Sequence, residues 1–269
     1  MLPVLGLVGC GKMAYALMKG ISSASSLDFD RIYVNDIDAT RSSLFVEEFK
    51  SLEIEPKELI KASNIIIIAV KPHQVGQVLE MGQGLWNDKK LIVSIAAGIK
   101  TSDIEEKSGV NVPVVRVMPN TPCLVGSGAA AISAGRFAGV NDIELVKKIM
   151  DSVGISLQVD EKHMDAITAV SGSGPAYVYL VVESMINAGL QVGLDINLLR
   201  NLVFKTVAGS IKMLEETGEH PAVLREQVCS PGGTTIAGVR ELEENGIRRA
   251  FFQAIEKACL RSVELGKDK

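Results

Sequence analysis

Up to about residue 160, short aliphatic runs alternate with polar stretches of helical periodicity. The runs fall at residues 4–8, 31–35, 65–70, 91–95, 114–118, 129–132 and 156–159. The helical stretches between them include 12–21, 40–51 and 142–153. Runs that are apolar throughout, such as 65–70, fit strands buried on both faces. Their alternation with helices predicts a mostly parallel sheet covered on both sides.

From His163 onward the strand signals stop. Helical patterns follow at 176–192, 197–217, 222–228, 234–245 and 246–265. Asp195 is a cap for one of them and Gly193 a stop for another. Two parts are therefore expected: residues 1–160 as an α/β domain and residues 161–269 as an all-α domain. Between Ala176 and Leu190 the strongly polar residues are Glu183, Ser184 and Asn187. A helix apolar nearly all round must be covered on most sides. The second part, of roughly a hundred residues, is small for that task. A second copy of the chain is the expected cover, so the helical part reads as a dimerisation domain; a compact monomeric bundle is the alternative.

Composition narrows the class. Of the 269 residues, 47% are apolar and only 4% aromatic, so the core is built from aliphatic side chains. A net charge of −4 and a pI near 5.6 argue against nucleic acid as a partner. The aliphatic run at 65–70 is too short to span a bilayer. The apolar start lacks a basic leader and reads as a strand, not a signal peptide. Cys10, Cys123, Cys229 and Cys259 form no CxxC pair, and His73, His163 and His220 are scattered. That spacing predicts no metal site and free thiols in a reducing cytoplasm.

The first run leads into Gly9-Cys10-Gly11-Lys12-Met13-Ala14, a GxGxxA pattern between a strand and a helix. Gly9 permits the turn, Gly11 admits a pyrophosphate against the backbone, and Ala14 lets the helix approach the strand. The helix start offers N–H groups and a positive dipole end to phosphate. In this context the pattern points to a dinucleotide, bound along Val8, Gly9, Cys10, Gly11, Lys12 and Met13, and the sheet to a Rossmann-type, doubly wound one.

The second run ends Asn35-Asp36. An acidic group there favours the free ribose hydroxyls of NAD, a basic one the extra phosphate of NADP. Asp36 leans toward NAD, Asn35 suits either, and both cofactors stay open. Three further segments lie just past strand ends: Ala69-Val70-Lys71-Pro72, Ala96-Ala97-Gly98 and Pro119-Asn120-Thr121-Pro122. In open α/β sheets ligands bind there, and small or proline-rich walls suit a flat nicotinamide ring.

Two dense segments lie in the helical part. Ser171-Gly172-Ser173-Gly174-Pro175-Ala176-Tyr177 and Ser230-Pro231-Gly232-Gly233-Thr234-Thr235 each open a helix. Serine hydroxyls and helix-start amides can hold a carboxylate without a formal positive charge; a plain capped turn is the competing reading. The helix at 176–192 contains no Lys, Arg or His. Alcohol oxidation needs a base, usually His or Lys, whereas a protonated imine already carries its charge. Thr235 is the hydroxyl chosen to hydrogen-bond an imine nitrogen.

Taken together, these segments resemble the pyrroline-5-carboxylate reductase family over nearly the whole chain, most specifically at residues 230–235. The resemblance implies hydride transfer from NAD(P)H to the C=N carbon of 1-pyrroline-5-carboxylate, giving L-proline. It also implies that the run holding Ser230, Gly232, Gly233, Thr234 and Thr235 grips the carboxylate and that Thr235 contacts the ring nitrogen; Ser171 and Ser173, from the first dense segment, are expected as further substrate-binding residues. Interlocked helical dimers that can assemble further are implied as well. Asp36 and Pro56 depart from the family's usual residues and put NADP preference in doubt. The remaining alternatives are a related imine or carbonyl reductase and a non-catalytic nucleotide-binding paralogue.

Overall fold

A computed structural model describes residues 2–267. Its one sheet has eight strands: β1 (Val4–Val8), β2 (Arg31–Asn35), β3 (Leu52–Glu53), β4 (Ile65–Ile68), β5 (Leu91–Ser94), β6 (Val114–Met118), β7 (Gly128–Ala134) and β8 (Gly154–Gln158). Their order is β3-β2-β1-β4-β5-β6-β7-β8. Strands β1 to β6 run parallel, β7 is antiparallel to β6, and β8 is parallel to β7. The chain winds outward from β1 to β3 and then returns to β4 on the other side of β1. The crevice at the carboxyl ends of β1 and β4 is thus the switch point where such sheets take ligands.

Helices α1 (Lys12–Ser23), α2 (Ala39–Phe49), α3 (Pro56–Ala62), α4 (Val75–Met81), α5 (Thr101–Ser108) and α6 (Val140–Asp151) intervene between strands. The period-two geometry of a strand divides β4 between two cores. Ile65 and Ile67 join Leu5, Leu7, Leu17 and Phe45 on one face. Ile66 and Ile68 join Leu59, Leu79, Trp86 and Ile104 on the other. All four isoleucines are at most 3% exposed, and each contributes roughly 1.5–3 kcal/mol by leaving water. That is why an unbroken aliphatic run forms the central strand.

Two buried charges brace this sheet. The Lys90 ammonium donates to the carbonyls of Ile60 (2.7 Å), Lys61 (3.1 Å) and Ser63 (2.7 Å), closing the end of α3. Arg116, in the middle of β6, is 3% exposed and pairs with Glu161 at 3.3 Å. Glu161 in turn accepts from the Thr101 N–H (2.8 Å) and hydroxyl (2.7 Å) at the start of α5. Asp165 lies 3.9 Å from Arg116 and accepts from the Ser262 hydroxyl at 2.7 Å.

These contacts fasten α7 (Met164–Ile167) and the wide helical turn at Thr168–Gly172 to the sheet. By packing, one compact unit runs up to Ser173 and takes in the chain from Lys257 on; the other is Gly174–Glu256. The second unit contains α8 (Gly174–Gln191), α9 (Ile196–Thr217), α10 (Pro221–Val228), α11 (Thr234–Glu244) and the first ten residues of α12 (Ile247–Lys267). Asp195 caps α9 by accepting from the N–H groups of Asn197 (2.8 Å) and Leu198 (3.2 Å). Within Gly174–Glu256 only Leu199 and Val203 are buried. Tyr179 and Leu180 are 63% exposed and Phe204 54%. Helices this apolar cannot stand in water on two buried side chains.

Candidate functional site

The GxGxxA turn forms as its residue types require. Gly9 has φ +99°, and a Cβ there would lie 2.7 Å from the Ala69 carbonyl oxygen. Gly11 ends the turn as the residue before α1, with extended backbone and nothing within 4 Å of the position a Cβ would take. One glycine is therefore demanded by the fold, and the other leaves open space over a helix start. Ala14 is 1% exposed, allowing α1 to lie close on the sheet.

A cleft of about 490 Å³ opens at this point. Its walls include Val8, Gly9, Gly11, Lys12 and Met13 from the first turn, and Asn35 and Asp36 from the end of β2. Ala69, Val70, Lys71 and Pro72 follow β4, and Ala96 and Ala97 follow β5. Segments separated by tens of residues thus meet at the switch point. The cleft also takes in Arg41, Pro56, His73, Gln77 and Met81, which carried no site signal of their own in the sequence except for the departure noted at Pro56.

Two expected residues do not line it. The Cys10 side chain is buried, and its N–H donates to Asp36 Oδ2 at 2.6 Å. Burial, then the charges of Asp36 and Glu53, opposed by Arg41, push the Cys10 thiol up to about 12. Asn120 accepts from the Ala129 N–H at 2.9 Å and donates to the Ser171 hydroxyl at 3.3 Å. It therefore ties the end of β6 to the wide turn, where Gly172 packs on Met118. Ser173 ends that turn, its N–H donating to the Thr168 carbonyl at 2.8 Å.

In the helical unit, the second dense segment forms a tight turn onto α11. Gly232 has φ +67°, a left-handed position suited to glycine. The Gly233 N–H donates to the Ser230 carbonyl at 3.0 Å, and Gly233 packs on the Ser230 side chain. Thr234 and Thr235 occupy the first turn of α11, whose leading N–H groups have no intrahelical acceptor. Thr235 is half-buried and Ser230 exposed.

Comparison with known proteins places this geometry. Residues 161–265 match the family described as pyrroline-5-carboxylate reductase dimerisation. Residues 4–98 match one described as NADP oxidoreductase, coenzyme F420-dependent. A pyrroline-5-carboxylate reductase of Pisum sativum is 40% identical over 261 residues, covering 97% of this chain and 95% of that protein. The chain belongs to the pyrroline-5-carboxylate reductase family. Solved members agree in shape. The Plasmodium falciparum pyrroline carboxylate reductase, crystallised with NADP bound, superposes with a TM-score of 0.89 at 35% identity, over 98% of both chains. The pyrroline-5-carboxylate reductase of Coxiella burnetii gives 0.90 at 31% identity, over 98% of this chain and 99% of that one. The resemblance carried by the motifs is borne out, as is the pairing of a Rossmann-type sheet with a helical dimerisation domain. Among the described residues, no helix is long and apolar enough to cross a membrane.

Proposed function

We propose that this pyrroline-5-carboxylate reductase family member reduces 1-pyrroline-5-carboxylate to L-proline with NADH or NADPH, the closing step of proline synthesis. It works in the cytoplasm as a homodimer or an assembly of dimers. In this reading residues 1–160 bind the dinucleotide, and residues 161–269 bind substrate and the partner copy. The observation that carries it is the pairing, in one chain of this family, of a switch-point cleft with the Ser230–Thr235 turn.

The cleft fits a nicotinamide dinucleotide. The open space above Gly11 and the unpaired amides at the start of α1 suit a pyrophosphate. Asn35 and Asp36 stand where an adenosine ribose is read, and Ala69–Pro72, Ala96 and Ala97 give small or rigid walls for a flat ring. Val8, Lys12 and Met13 complete the phosphate end. Cys10 contributes through its backbone, and Asn120 by holding Ser171. When bound, the reduced cofactor supplies a hydride to the C=N carbon, and the π pair of that bond passes to the ring nitrogen.

On the substrate side, the first-turn amides of α11 and the hydroxyls of Ser230 and Thr234 hold the carboxylate, with Ser171 and Ser173 as further donors. Glycines at 232 and 233 keep side chains away from the approaching acid group. Thr235 hydrogen-bonds the ring nitrogen. An iminium needs no stronger acid, which agrees with the absence of Lys, Arg and His from α8. The exposed apolar faces of α8 and α9 support a partner copy as their cover. All four cysteines are free, as suits a reducing compartment.

Thr235→Ala tests the assignment. It should lower kcat/KM by at least about tenfold, the loss of one hydrogen bond to a charged group, with nucleotide Kd unchanged. A wild-type rate would remove Thr235 from the mechanism.

A further inference from the structure

Asp36 is held in place by the turn it faces. Its Oδ2 accepts from the Cys10 N–H at 2.6 Å and its Oδ1 from the Asp38 N–H at 2.9 Å. It lines the cleft at the end of β2, beside the helix-start phosphate site. Each carboxylate oxygen has a second lone pair, so both can still accept from a ligand hydroxyl.

The surrounding charges do not offset it. Asp38 follows on the same turn, and the carboxylate of Glu53 accepts from the Ser42 hydroxyl at 2.6 Å in the first turns of α2. Arg41, a cleft-lining cation in the first turn of α2, has its Nε 3.3 Å from Asp38 Oδ2. The other cleft-lining cations, Lys12 and Lys71, belong to the first glycine turn and to the end of β4. Burial first, and then the negative charges of Asp36 and Glu53, raise the Cys10 thiol, with Arg41 opposing.

Resting on the cofactor reading above, we infer that Asp36 is the specificity-determining residue of the cleft and selects NADH over NADPH. A ribose carrying free hydroxyls donates to the fixed carboxylate. A 2′-phosphate has no proton to offer and brings close to two negative charges against it.

The experiment is a fluorescence titration of the full-length protein with NADH and with NADPH, for wild type, Asp36→Asn and Asp36→Ser. Asparagine removes the charge and keeps one of the two acceptor oxygens that the Cys10 and Asp38 N–H groups use; serine also keeps one acceptor and shortens the side chain. In wild type NADPH should bind at least about tenfold more weakly than NADH, as for a lost hydrogen bond to a charged acceptor. In Asp36→Asn the two should approach each other. Equal or tighter NADPH binding in wild type overturns the inference while leaving the cofactor cleft standing, as does a preference that survives both substitutions. Binding of neither nucleotide would overturn the cofactor reading itself and this inference with it.

Discussion

Gly9 and Gly11 sit two residues apart, yet their substitution by alanine should act on different properties. At Gly9, φ is +99° and the new Cβ would stand 2.7 Å from the Ala69 oxygen, 2.8 Å from its carbon and 3.0 Å from the Val70 nitrogen. These are backbone atoms at the end of β4, where the Ala69 N–H donates to Val8 O at 2.8 Å, so they cannot give way without breaking the ladder. A left-handed non-glycine residue costs roughly 1–2 kcal/mol, and overpacking a fixed site adds roughly 1–3 kcal/mol. The sum, roughly 2–5 kcal/mol, should lower Tm by about 4–20 °C in a chain of this size. At Gly11 the backbone is extended and nothing lies within 4 Å of the Cβ position. Loss of a favoured helix-cap residue and the gain from a stiffer unfolded chain are each under about 1 kcal/mol and opposed in sign. Gly11→Ala should therefore melt within about 2 °C of wild type, while its methyl group intrudes on the pyrophosphate space and weakens nucleotide binding at least about tenfold. Circular-dichroism melts paired with NAD(P)H fluorescence titrations separate the two effects. Wild-type nucleotide affinity in folded Gly11→Ala would refute the assignment of this turn to the pyrophosphate.

Lys90→Met should remove the ammonium that three carbonyls at the end of α3 share. Leaving those acceptors unpaired costs about 3 kcal/mol or more, read by urea unfolding, while kcat per folded molecule stays unchanged. Cys10, raised to about 12 from 9.0 by burial first and then by Asp36 and Glu53, should stay unlabelled by a thiol reagent at pH 8 while Cys229 and Cys259, which are only half-buried, react. Because its folded value lies above its unfolded one, Cys10 contributes stability that is complete below pH 9.0 and lost on the way to about 12. The slope in that window is about 1.4 kcal/mol per pH unit, and Cys10→Ala should abolish that share of it in alkaline melts. Arg116→Leu should strand the Glu161 and Asp165 carboxylates that it neutralises. A destabilisation of about 3–5 kcal/mol by urea unfolding is expected; a wild-type midpoint would contradict the ion pair.

What could be read from the sequence was whatever the backbone imposes on residue type. Ile65–Ile68 announces a strand buried on both faces because no other element takes so short a run of isoleucines. Gly9 and Gly11 announce the turn because one needs a left-handed backbone and the other open space. The two-residue β3 gave no such signal, since Leu52 and Glu53 are both exposed and make a single period of the strand repeat. Helices α3 and α4 are seven residues each, too short for a 3.6-residue period to stand out. Side-chain partners were the least legible. Asp36 reaches Cys10 across 26 positions and Asn120 reaches Ser171 across 51, and nothing local to either residue specifies the other. Arg116 is a partial exception: an arginine inside the strand Val-Val-Arg-Val-Met demands a buried acid, but not which one. His73, Gln77 and Met81 reach the cleft only because the segment after Lys71-Pro72 turns back over it as α4.

Hydride delivery to a cyclic imine is read most simply by isotope transfer. The full-length protein is given 1-pyrroline-5-carboxylate and reduced nicotinamide cofactor carrying deuterium at both positions of the donor carbon, and the product is analysed by mass spectrometry. L-proline should carry one deuterium at the carbon formerly double-bonded to nitrogen and should form at the rate of cofactor oxidation. Cofactor oxidation no faster with the imine than without it, or proline free of deuterium, would contradict it.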